Sequence, residues 1–191
     1  MNYPNLLPLG YARRRAAALG LLLALATYFA LTLWQIALPG LHNDEAQEAA
    51  LPALQLVTGQ PISAFRGAGV TLGGRTYPLM AQDYIGAFHI YLTAPFVAVL
   101  GATPLAARLP AVLLGALTLI LLYELVKKLA SPGAGALAAL LLAAQPSFVF
   151  WMRQGAYVTN ITLPLGIGLL LAALEWARHP MARQPMARQP T

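Results

Sequence analysis

Apolar residues in this chain come in long runs separated by short polar brackets, and the lengths of those runs predict its elements. Arg13-Arg14-Arg15 is followed by a charge-free stretch from Ala16 to Leu38, long enough as a helix to cross about 30 Å of hydrocarbon. Leu105 to Val126, Ala134 to Met152 and Ala156 to Trp176 repeat that pattern with few charges. An arginine run before an apolar segment also describes a cleaved signal peptide. A signal core runs only about 7–15 residues and more apolar runs follow here, which favours an uncleaved first span.

The polar stretch 39–103 carries weaker periodicities. Pro39-Gly40 closes the first helix, and Asp44 to Gly59 reads as a helix on or near a membrane surface, with Ala50, Leu51, Leu54 and Val57 at helical spacing. Gly59-Gln60-Pro61 stops it. Val70 to Tyr77 reads as a hairpin whose Gly73-Gly74 pair supplies the positive φ of a two-residue turn. Gly86 to Gly101 is apolar but short, and His89 and Pro95 interrupt it, so it reads as an interfacial helix.

Charge decides the sidedness. If Gly86–Gly101 does not span, then Arg13–Arg15, Lys127-Lys128 and the basic tail after Trp176 fall on one side, as the excess of Lys and Arg in cytoplasmic loops requires. The expectation is an all-α integral membrane fold with four transmembrane helices and both termini cytoplasmic. Residues 1–15 are an N-terminal segment, 16–176 the membrane module with its large outer loop at 39–103, and 177–191 a low-complexity tail. Within that tail Met181-Ala182-Arg183-Gln184-Pro185 repeats directly as Met186 to Pro190.

Composition narrows the class. Charged residues make up 9% of the 191, against about 25% in an ordinary soluble domain; 59% are hydrophobic and mean hydropathy is +0.64. The net charge of +6 sits in brackets beside apolar runs rather than in a basic patch interleaved with aromatics, so nucleic acid is not an expected partner. Without cysteine there is no disulfide framework and no thiolate site.

Three of the six acidic residues, Asp44, Glu45 and Glu48, lie in one stretch directly after the first apolar run. Asp44, with Gln47 three residues on, suits a helix N-cap. It equally suits a general base facing an incoming hydroxyl, and both readings stand. Glu48 reads as part of a solvated helix face. Arg153 and Arg108, each at the outer end of a span, either snorkel to lipid headgroups or neutralise a phosphate. His42 and His89 are too far apart for a ligand-spacing argument. Glu124, near the end of its span, is expected to pair with Lys127 and Lys128, which weakens a transporter reading because no other ionisable group falls deep in a span.

The order of these motifs resembles the glycosyltransferases of GT-C type that use polyprenyl-phosphate sugars, in the branch of the dolichyl-phosphate-mannose protein mannosyltransferases and their bacterial relatives. The resemblance rests on the first span followed by Asp44-Glu45-Ala46, then Tyr84-Ile85-Gly86 with Tyr91-Leu92 and Pro95-Phe96. Arg108 to Gly115 with Tyr123 and Lys127-Lys128 follows, and then Pro146 with Trp151 to Tyr157. It covers about Ala16 to Trp176. It implies transfer of a sugar from a polyprenyl-phosphate donor to an acceptor hydroxyl outside the membrane. Asp44 would be the catalytic base and Glu45 its helper, while Arg153, Arg108, Tyr84 and Asn160 would be substrate contacts.

A divalent metal is left open as cofactor. Where many relatives carry a second outer acid this chain has Tyr157-Val158-Thr159-Asn160, which puts a two-acid metal site in doubt; Asp83 is the remaining candidate carboxylate. The glycosylation triplet Asn160-Ile161-Thr162 falls at the mouth of a span and is discounted. Relatives have more spans, so an N-terminal portion of such an enzyme is expected. The competing readings are a non-catalytic membrane protein and an inactive gene fragment. A bacterial cytoplasmic membrane is the expected location.

Overall fold

The computed structural model describes residues 7–62, 67–82, 84–155 and 157–178. It is mostly helical. Helix α1 (Leu7–Leu33) is followed by a turn and a π-helix (Glu45–Ala50), which runs directly into α2 (Leu51–Thr58). A hairpin of β1 (Gly69–Leu72) and β2 (Arg75–Pro78) precedes α3 (Phe88–Leu100). Then come α4 (Pro104–Leu129), α5 (Pro132–Ala143), α6 (Pro146–Met152) and α7 (Val158–Arg178).

Three helices, α1, α4 and α7, are long and apolar enough to cross a membrane, and a fourth crossing exists if α5 and α6 count as one. The fourth was expected as a straight run from Ala134 to Met152. Instead α5 and α6 meet at 67°. Pro146 is the cause: the residue before a proline avoids helical dihedrals, and Gln145 lies at φ −73°, ψ 120°, its side chain accepting from Phe148 N–H as the cap of a new helix. Other starts are as the sequence implies. Thr103 and Ser131 each precede a proline and cap α4 and α5, accepting from Ala106 and Ala134 N–H at 3.2 Å.

The bundle closes through small residues. A Cβ on Gly20 would stand 2.8 Å from Ala136 Cβ, bringing α1 onto α5. One on Gly135 would meet the Tyr123 carbonyl at 2.7 Å, so α5 also presses on α4. Gly115 leaves room for the Tyr28 ring, whose hydroxyl donates to Val112 O at 2.9 Å and is fully buried. Leu119, Val112, Ala139 and Ala143 complete this core. Without a hydrophobic force between helices in lipid, such close backbone approach is what holds spans together.

The expected hairpin forms in the expected register, Leu72 opposite Arg75 across Gly73 (φ 58°) and Gly74 (φ 78°). The fold is thus not purely α. At 13 residues α3 is about 20 Å long, too short to cross. Ile90, Ala94 and Val97 bury against α2 and α4, and the Tyr91 hydroxyl donates to Pro78 O at 2.7 Å, pinning the hairpin. Of the pairs expected for Glu124, only the one to Lys127 forms; Lys128 pairs across to Glu175 on α7. The duplicated tail lies outside the described residues.

Candidate functional site

The acids at 44 and 45 are neighbours in sequence with opposite surroundings. Glu45 is 2% exposed. Its Oε1 accepts from Arg108 Nε at 2.9 Å and its Oε2 from Arg108 Nη2 at 2.8 Å, a two-pronged pair between the π-helix and α4. The His42 backbone N–H adds a third bond to Oε2 at 2.8 Å. Arg108, 4% exposed, turns its remaining N–H groups on the chain that leaves α1: Nη1 donates to Ile36 O and to Pro39 O (3.1 Å), Nη2 to Gly40 O (2.9 Å). A guanidinium has five donors. All are engaged, so none is left for a phosphate.

Asp44 is exposed, and its carboxylate accepts no hydrogen bond among the described residues. The expectation that it caps the following helix fails. Asp44 is itself helical (φ −68°, ψ −39°) and makes no side-chain cap bond. His42 lies beside Asp44, with Nδ1 accepting the Asp44 N–H at 3.3 Å and standing 3.8 Å from its carboxylate.

The π-helix matters here. Its wider turn puts Glu45 and Ala50, five residues apart, on one buried face, and such turns recur at functional sites. Glu48 was expected on a solvated face but is half-buried, its Oε1 taking a hydrogen bond from Gln82 Nε2. Burial, and then the charge of Asp44, push its carboxyl above the usual range. His89 is 3% exposed, with Nε2 3.0 Å from Glu48 O and Nδ1 3.1 Å from Gly86 O. Burial lowers its affinity for a proton, against a smaller pull from those two carbonyls.

The fourth wall is the turn after α6. Gly155 sits at φ 84°, and a Cβ there would lie 3.3 Å from Glu45 Oε1. Asn160, expected as a substrate contact, is 1% exposed, and its Nδ2 donates to Gly155 O (2.6 Å) and Trp151 O (3.1 Å). It fastens the turn. Arg153 reaches back to the turn after α1, Nη2 donating to Trp34 O (2.6 Å) and Gln35 O (3.3 Å); its Nε and Nη1 make no hydrogen bond among the described residues. Tyr157 is half-buried. Burial first, then Glu45, Asp44 and Glu48, push its phenol up to about 12, with Arg108 pulling the other way.

These walls enclose a small cavity lined by Glu45, Glu48, His89, Gln154, Gly155 and Tyr157. About 10 Å³ is open to the centre of a water molecule, room for about one. Tyr84 is 80% exposed and does not line it; Asp83 lies outside the described residues. No group of three His, Asp or Glu side chains converges as metal ligands among the described residues. The sequence reading held Gln154 and Tyr157 within a motif but gave them no role, and it set His89 aside for want of a ligand partner. It also missed the pairing of Arg108 with Glu45, although an arginine just inside an apolar run needs a partner if it is buried.

No curated protein and no solved structure matches the chain. The sequence model of the family described as dolichyl-phosphate-mannose-protein mannosyltransferase matches residues 86–185. That stretch covers more than half of the chain and contains α3 to α7, hence Arg108, Arg153, Tyr157 and Asn160; the acids Asp44 and Glu45 precede it. With three to four apolar crossings and this match, the chain is an integral membrane protein belonging to the dolichyl-phosphate-mannose-protein mannosyltransferase family.

Proposed function

We propose that the chain carries the catalytic base of a membrane glycosyltransferase that moves a sugar from a polyprenyl phosphate to an acceptor hydroxyl on the outer face. The observation that carries this is the division of labour between two adjacent acids. Glu45 is held through both carboxylate oxygens by Arg108 and is buried. Asp44, one residue away, keeps its carboxylate open to solvent.

The chemistry follows from that division. Asp44 accepts the proton of the acceptor hydroxyl. The acceptor oxygen then bonds to the anomeric carbon while the bond from that carbon to the phosphate oxygen breaks, and the lipid phosphate leaves with the electron pair. Arg153, with Nε and Nη1 uncommitted among the described residues, is the cation for that phosphate. Arg108 and Glu45 act as positioning residues, fixing the start of the π-helix. Tyr84, exposed on the loop before α3, offers an aromatic face to the substrate. The basic clusters put both termini in the cytoplasm, and a bacterial cytoplasmic membrane suits the short loops. The family's name makes a mannosyl donor the first to test.

The test is Asp44→Asn in the full chain, assayed for transfer from a radiolabelled polyprenyl-phosphate sugar in nanodiscs. Transfer should fall by about 10²–10⁴-fold, the usual size of a general-base effect. Transfer at the unmodified rate would remove Asp44 as the base.

A further inference from the structure

The cavity between the π-helix, α3, α4 and the turn after α6 differs from the rest of the site in size, charge and free hydrogen-bonding groups. It has room for about one water-sized group, which admits a hydroxyl and excludes a phosphate. Glu45 and Glu48 line it, and the charge of Asp44 also acts on Tyr157. Against these three carboxylates stands Arg108, whose five donors are all taken. His89 faces two backbone carbonyls. Among the described residues no cation with a free donor lines the cavity. Two lining side chains, Tyr157 and Gln154, make no side-chain hydrogen bond among the described residues. Both are neutral donors and acceptors, suited to an alcohol.

We infer that this cavity is a subsite for an uncharged hydroxyl group of a carbohydrate or alcohol, held by the Tyr157 phenol and the Gln154 amide, and that it turns phosphate away to the Arg153 side. The phenol stays protonated beside the acids because burial and their charges oppose its ionisation, so it remains a donor at every working pH. The assignment deepens the transferase reading by separating the hydroxyl side of the site from the phosphate side, and it rests on that reading for its role in turnover.

Trp151 lies edge-on to Tyr157 with ring centroids 6.5 Å apart and reports on the cavity. In the full chain carrying Trp34→Phe and Trp176→Phe, its fluorescence is titrated with methyl mannoside and, separately, with inorganic phosphate. Methyl mannoside should give a saturable change and phosphate none. Tyr157→Phe, which keeps the ring, should weaken the mannoside response by about two- to tenfold, the worth of one neutral hydrogen bond, and Gln154→Ala should do the same. Phosphate competing with the mannoside, unchanged affinity in both variants, or no response to either probe would overturn the assignment. Mannoside binding by a protein that transfers no sugar would instead remove the transferase reading and leave the subsite standing.

Discussion

The two ends of the helical bundle each carry ion pairs, and the pairs behave differently. At the Lys127 end, Glu124 meets Lys127 at 2.6 Å, Lys128 meets Glu175, and Arg178 donates to Lys128 O at 3.0 Å. These side chains are about a third exposed or more. At the Arg108 end, the paired side chains of Arg108 and Glu45 are 5% and 1% exposed. In water-facing pairs, gained attraction and lost solvation nearly cancel, leaving about 0–1 kcal/mol. In a buried pair both terms are large, and removing one partner strands a charge. The Lys127 end is therefore tolerant of substitution, while the Arg108 end holds one arrangement of the chain around the site.

The contrast can be broken most severely at Arg108. Arg108→Met leaves Glu45 buried without a partner, and about 3–5 kcal/mol of stability should be lost. The drop would be read as an early thermal unfolding transition of the detergent-solubilised protein. Adding Glu45→Leu to that variant should restore most of it, since apolar replacement of both partners is often neutral. A double variant as unstable as the single would mean that the carbonyls of residues 36–40, not the pair, decide the geometry.

A smaller effect is expected at Gly155→Ala. Its φ of 84° and the 3.3 Å approach of a Cβ to Glu45 Oε1 add backbone strain of about 1–2 kcal/mol to a push on the buried carboxylate. Gly101→Ala, at φ 71° with nothing within 4 Å of a Cβ, is the control for backbone strain alone. The smallest change belongs to the other end. Glu124→Ala should alter stability by under about 1 kcal/mol and progressively less as salt is raised. A larger, salt-insensitive loss would erase the contrast between the ends.

The same contrast explains what the sequence revealed. Helices α1, α4 and α7 were legible because lipid demands long apolar runs, and the hairpin because Gly73-Gly74 satisfies a positive-φ turn. The caps Thr103 and Ser131 were legible because the determining residues are adjacent in sequence. The bend at Pro146 was also written locally, yet the uninterrupted apolar run obscured it. The membership in the mannosyltransferase family was legible from the order of its motifs. The site was not. Asp44 satisfies the local pattern of a cap, and the partner that fixes Glu45 beside it, Arg108, lies 63 residues further on. Tyr157 and Gln154 have meaning only through the acids that folding brings to them.

The five bonds of Arg108 have a consequence for how the molecule is made. Synthesis proceeds from the N-terminus, and Glu45 is produced 63 residues before Arg108. At about 5–20 residues per second the wait is on the order of several seconds. During that interval the exit of α1, with its carbonyls at 36, 39 and 40, has no guanidinium to gather it. The arrival of α4 is thus the event that seats Glu45, and the exit of the first helix waits for a residue from the second long one.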